Sequence, residues 1–225
     1  MFAVIFEVQP RKDQFDDYLN LASLLKPELE QIDGFIDNER FGSKRTKGRI
    51  LSLSIWRDEK ALIRWRTLAL HHDVQKKGRF EIFEDYHLRV GEIAADSDLP
   101  EGQLPEPQRF DETEIGEGKV VTMTEVSPRA EENSVFTNLA AALGLPPTGT
   151  QGVVDQEIFE SIYSPGKLLL LVSWRAAAMA DRWKPNAIIC GKRHHRQVRI
   201  IRDYGMTDRR EAPQYYPPVP ADGRG

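Results

Sequence analysis

One stretch of this chain is written twice, and that repeat limits the possible folds more than any other feature. Shifted by 118 residues, Glu7-Val8-Gln9-Pro10-Arg11 falls on Glu125-Val126-Ser127-Pro128-Arg129. Gly34, Asp37, Glu39 and Phe41 fall on Gly152, Asp155, Glu157 and Phe159, and Gly48, Trp56, Arg57, Arg64 and Trp65 on Gly166, Trp174, Arg175, Arg182 and Trp183. Residues 7–65 and 125–183 share 20 identities in 59 ungapped positions, against roughly one in twenty for unrelated chains of average usage. Beyond Trp183 the register slips: Leu88-Arg89-Val90 matches Val198-Arg199-Ile200 at an offset of 110. A 225-residue chain is comfortable for two units of about 100 residues each, a size that buries its own core.

Within one copy the pattern reads β-α-β-β-α-β. Residues 2–8 are apolar and partly β-branched, and Pro10 turns the chain into 11–30, where Phe15, Tyr18, Leu19, Ala22, Leu25 and Leu29 recur at helical spacing. After Gly34, residues 35–42 and 49–57 form a hairpin about a polar, glycine-bounded loop. Asp58 caps a second helix with Ala61, Leu62, Trp65 and Leu68 on one stripe, and Tyr86 to Ile93 is the closing strand. This is the split unit of a ferredoxin-like α+β fold. Such a unit covers one sheet face with helices and leaves the other bare, so two copies in one chain are expected to bring their antiparallel sheets face to face as a pseudo-dimeric α/β barrel.

The expected organisation is therefore a first domain over 1–93, a linker over 94–118, a second domain over 119–206 and an extended tail over 207–225. The linker carries three prolines and eight acidic residues against one arginine, a solvated composition. In the tail, Tyr215 and Tyr216 sit among four prolines and are expected to pack on the body. The arrangement also leaves room for further association into a homodimer.

Composition removes several functional classes. The net charge is −4, no apolar run is long enough to span a bilayer, and the start at Met1 lacks a basic, long apolar leader, so the chain is expected in the cytoplasm without a membrane partner. Cys190 is the only cysteine, which rules out an intramolecular disulfide or a cysteine-based metal site. The one basic cluster, Lys192-Arg193-His194-His195-Arg196, has only Tyr204 following closely, and nucleic acid is not expected. His71-His72 with His87, and His194-His195, invite a metal reading, but adjacent helical residues point about 100° apart, and no metal is expected.

Trp65, His71, Gln75, Gly78-Arg79, Tyr86 and Leu88-Arg89-Val90 together resemble the signature of antibiotic-biosynthesis-monooxygenase domain proteins. The resemblance covers residues 1–93; the second copy keeps the fold-determining half and lacks the His-x-x-x-Gln segment, with Ile189 opposite His71. It implies a cavity beneath the helical layer, and either cofactor-independent oxygenation of an electron-rich aromatic or oxidative opening of haem. The haem-degrading branch has an asparagine on its first strand, which Phe2 to Val8 lacks; the quinone-forming branch has one a helical turn before the tryptophan, where this chain has Ala61.

The candidate catalytic set is thus His71 as base or ligand, Trp65 as a flat apolar wall, and Arg89 as holder of an anionic oxygen, acting on a small aromatic or polyketide-like substrate without a cofactor. Retention of Trp65 as Trp183 argues instead for packing. Asp37 and Glu39, repeated as Asp155 and Glu157, are either an ion-paired strand face or acid–base carboxylates. Competing functions are a non-catalytic ligand-binding or stress-related module and haem binding through His71.

Overall fold

The computed structural model describes residues 1–99, 105–127, 138–186 and 192–213. Tyr215, Tyr216, Ile189 and Cys190 lie outside them. The first unit contains β1 (Phe2–Pro10), α1 (Phe15–Glu30), β2 (Phe35–Ser43), β3 (Ile50–Trp56), α2 (Glu59–Thr67), α3 (Ala69–Lys77) and β4 (Phe83–Asp96). The second contains β5 (Val120–Ser127), α4 (Leu139–Ala142), β6 (Val153–Ser161), β7 (Leu168–Trp174), α5 (Ala177–Ala180) and β8 (Lys192–Gly205). The second helix expected from the sequence is two: the backbone turns extended at Leu68, and His71 falls on α3.

All eight strands close one antiparallel barrel in the order β1-β3-β2-β6-β7-β5-β8-β4. Each unit supplies four neighbouring strands, and the two sheets are joined by a long β4–β8 seam and a short β2–β6 seam. The bare faces therefore meet in the barrel interior, as the unit's one-sided helical cover demands. Alternation along each strand sorts the side chains: Ala3, Ile5, Leu51, Leu53, Ile55, Val121, Met123, Leu169 and Leu171 fill the interior. Their neighbours Phe2, Val4, Trp56, Val120, Val172 and Trp174 point outward beneath helices. β7 is buried along its whole length, which explains its unbroken Leu-Leu-Leu-Leu-Val run.

The duplication is visible in the backbone itself. Gly34 and Gly152 turn into β2 and β6 at φ of 90° and 86°, values an L side chain rarely adopts. The register slip that follows each is at the same place, Phe35/Asp37 in one copy and Val153/Asp155 in the other. At the β2–β6 seam Ser161 donates to Glu39 at 2.6 Å, and Ser43 donates to Glu157 in the mirrored contact. Three of the four repeated strand carboxylates are thus cross-unit clasps, with Lys167 on Glu39 and Arg45 on Glu157 and Asp155, and Asp37 is exposed.

The described part of the connecting segment is strapped down rather than solvated along its length. Glu92, buried on β4, accepts from the backbone of Gln108 and Arg109, and Thr113 is buried with its amide on the carbonyl of Ile200. The attachment is made by the segment's backbone together with the few side chains that are not acidic, Arg109 on Glu59 and Thr113 on Glu211, and most of its acidic side chains stay exposed. Among the described residues no helix is long and apolar enough to cross a membrane.

Candidate functional site

α1 lays Tyr18, Ala22, Leu25 and Leu29 toward the first unit's sheet, as its helical spacing requires. α2 starts where Asp58 accepts the amide of Ala61 at 2.8 Å, and buries Ala61 and Leu62. Between these helices, α3 and the outward faces of β1–β4 lies a cavity of about 210 Å³. Its lining is mostly apolar (Val4, Phe6, Leu21, Leu25, Leu62, Phe83, Leu88, Val90), with Ser52, Ser54, Asn38 and Arg40 on the sheet side. A mostly apolar hollow with a few convergent polar groups has the character of a small-molecule site, somewhat below the usual size range.

Trp65 and His71 both line this cavity. The imidazole lies on the indole at 4.0 Å between centroids and 17° between planes. His71 Nδ1 is 2.9 Å from the carbonyl oxygen of Trp65. A carbonyl only accepts, so Nδ1 carries the proton and Nε2 keeps its lone pair. Burial pushes the pKa of His71 down to about 4, against the opposing pull of that hydrogen bond. The ring is therefore neutral near pH 7. Trp183, the repeated tryptophan, does something else: it packs at 5.6 Å on Trp174 inside the second unit's apolar cluster. The two tryptophans share a sequence position and not a task.

Arg89 does not join them, and its expected role in that cavity is corrected. Pairing of β1 with β4 sets Ile5 opposite Arg89, so the side chain points into the barrel with Ile5, away from the helices. There it donates to Glu7 at 2.5 Å and to Ser173 at 2.7 Å, all three buried. It lines a separate polar hollow of about 200 Å³ with His87, Arg49, Glu157 and Asp203. Nor is Arg199 its counterpart: Met123, the equivalent of Ile5, pairs with Arg196, and Arg196 donates to Glu125 at 2.9 Å as Arg89 does to Glu7. Arg199 instead reaches Glu92 at 2.7 Å.

Residues to which the sequence reading gave no role in the site complete the cavity. Tyr86 accepts from Arg79 at 3.0 Å and from Arg209, and Arg209 also stacks over Tyr204 at 5.6 Å. Burial raises Tyr204 to about 12, so it stays a neutral phenol. Tyr204, Arg202 and Arg209 belong to the second unit and its C-terminal extension, yet they line the first unit's cavity because β8 pairs with β4. The alternation of β4 could have pointed to Tyr86; nothing local points to β8.

Two other histidines are engaged with carboxylates, His87 Nε2 lying 2.6 Å from Asp203 and His194 Nε2 2.6 Å from Asp96, while His195 Nδ1 lies 2.8 Å from the Thr124 hydroxyl. The basic start of β8 is matched by acids, with Lys192 on Asp98 and Arg196 on Asp96 and Glu125.

Comparison with known proteins agrees with this architecture. Over 223 residues, 97% of this chain and all of the other, the sequence is 43% identical to the protein named Jasmonate monooxygenase ABM of Pyricularia oryzae strain 70-15. Two aldoxime dehydratase crystal structures share the fold. One has a TM-score of 0.56 at 13% identity, covering 89% of this chain and 81% of that one. The other, in complex with butyraldoxime, has a TM-score of 0.57 at 12% identity, covering 92% and 80%. Residues 1–77 match the family described as antibiotic biosynthesis monooxygenase. With a full-length relative of that kind at 43% identity, the chain belongs to the antibiotic biosynthesis monooxygenase family.

Proposed function

We propose that this chain is a monooxygenase whose reaction takes place in the first unit's cavity, on a small, largely apolar molecule with an acidic C–H beside a carbonyl or with a phenol O–H. Support comes from family membership, and from the name of the Pyricularia relative, which carries jasmonate. Jasmonate is a cyclopentanone and hence an enolisable ketone. The observation that carries the reading is the state of His71. With its Nδ1 proton held by the Trp65 carbonyl, an unprotonated Nε2 belongs to a ring that lines the cavity.

The chemistry closes without a cofactor when the substrate supplies the electrons. Nε2 takes the proton from the acidic C–H or from the phenol O–H, and the resulting enolate or phenolate reduces O2 and is oxygenated at carbon. Loss of water from the hydroperoxide leaves a new carbonyl. In balance, a methylene group, or a phenol O–H together with a ring C–H, gives up two hydrogens to one dioxygen molecule, leaving a new carbonyl group and one water, with one oxygen atom in each product. Trp65 fixes the base by stacking and by its carbonyl, and the apolar lining excludes water from the enolate.

The test is oxygen uptake by the purified protein with jasmonate and with a panel of anthrones and hydroquinones, under 18O2. Wild type is expected to incorporate one labelled oxygen per turnover. His71→Ala is expected to lower kcat about a hundredfold or more, the usual worth of a positioned base. Tight binding with no oxygen uptake on any of these would replace the reading with a ligand-binding module. A Soret band lost in His71→Ala would replace it with haem binding.

A further inference from the structure

We infer that the second copy supplies the anion-recognition end of the first copy's cavity, and that Arg202 is its specificity-determining residue for a substrate carboxylate. The inference rests on reading this cavity as the substrate site.

Five arginines line the cavity, Arg40, Arg66, Arg79, Arg202 and Arg209, against a single carboxylate, Glu59. Both Glu59 oxygens are taken by Arg109, at 2.8 and 2.9 Å. The lining therefore has a strong excess of positive charge set in apolar walls, where a charge pair is worth far more than in water. Four of these cations are gathered around Tyr86 and Tyr204, while Arg40 bonds Asn38 on the sheet. Arg79 and Arg209 meet on the Tyr86 hydroxyl, while Arg66, Arg202 and Arg209 act electrostatically on Tyr204.

Arg202 stands apart within this group. Among the described residues its side chain makes no hydrogen bond or ion pair, although it is half-buried and lines the cavity. It is held there by the β4–β8 seam: Val90 pairs with Arg202 and Leu88 with Tyr204, and the register slip just beyond Val90 packs Ile201 into the first unit's helix-covered cluster. A planar guanidinium in such a place binds a carboxylate in the fork geometry that a lysine does not reproduce. Tyr204, kept neutral by burial, offers a phenolic donor beside it.

The ligand implied is an amphipathic small acid, its apolar body under α1 and α3 and its carboxylate at Arg202. One copy of the duplicated unit has thereby become part of the other's substrate pocket.

The experiment measures binding of jasmonate and methyl jasmonate to wild type, Arg202→Gln and Arg202→Lys by calorimetry, with oxygen uptake in parallel. Wild type is expected to prefer the acid over the ester by about tenfold or more, the worth of a charge-assisted bond in a closed site. Arg202→Gln is expected to erase that preference while ester affinity is unchanged, and Arg202→Lys to restore part of it. Unchanged ester binding shows that the variant is folded. Persistence of the preference in Arg202→Gln, or equal wild-type affinity for acid and ester, would overturn the Arg202 assignment while continued turnover left the proposed reaction standing. No binding of either compound and no oxygen uptake would overturn both.

Discussion

Arg89 donates to Glu7 at 2.5 Å inside the barrel, and Arg196 repeats the contact on Glu125 at 2.9 Å. Arg89 was expected in the substrate cavity and is instead part of the pseudo-symmetric interior. Removing one partner leaves an uncompensated buried charge, so Glu7→Ala is expected to cost about 3–5 kcal/mol in urea unfolding. Replacing both Glu7 and Arg89 with apolar residues of similar size is expected to recover most of that loss.

The β4–β8 seam depends on Gly91. A Cβ there would run into the carbonyl of Arg199 and the side chain of Val198. Gly91→Ala is expected to destabilise the protein by about 1–3 kcal/mol, measured as a lowered chemical-denaturation midpoint. Because this seam also holds Arg202 and Tyr204 under the cavity, ligand affinity is expected to fall along with stability.

His71 sets two pH dependences. Its pKa falls from 6.5 to about 4, and that of His195, also lowered chiefly by burial, to about 4. Between these values an unfolded chain takes up protons that the folded one refuses. Stability that is fully present above about pH 6.5 is therefore lost as pH falls toward 4. The activity profile has the same sign: kcat/KM is expected to be flat from about pH 8 down to about pH 5.5 and to fall below about pH 5 as the base protonates. An acid limb near pH 6.5 would show that His71 titrates as an exposed imidazole.

The closed barrel is made within one chain, with both seams joining its own halves. Its thermal midpoint is therefore expected to be independent of protein concentration, which a scan over a hundredfold dilution series measures. A midpoint that rises with concentration would show that the barrel is closed between chains.

Much of this architecture was legible because a duplicated sequence must keep what the fold needs. Gly34 and Gly152 mark the same left-handed turn, and Glu39 and Glu157 the same seam. Trp65 and His71 were legible together from the family pattern alone; residues six apart fall on different faces of one helix, and the break at Leu68 is what lets the two rings stack. Arg89 was misplaced although the period of two was available: Ile5 is interior, and its antiparallel partner must be too. The match of Arg89 with Arg199 failed for a related reason, since the strand register and the best local similarity disagree on β8. Arg202, Tyr204 and Arg209 were not legible at all. They reach the first unit's cavity only through a pairing between strands more than a hundred residues apart, and no local pattern records that.

The central claim is that the hollow beneath α1, α2 and α3 is where oxygen meets substrate, and filling it tests the claim most directly. Ala22 on α1 and Val74 on α3 both line it, so Ala22→Trp and Val74→Trp are expected to abolish 18O2 incorporation while circular dichroism and the melting transition stay close to wild type. Incorporation at the wild-type rate in two folded, cavity-filled variants would contradict the account.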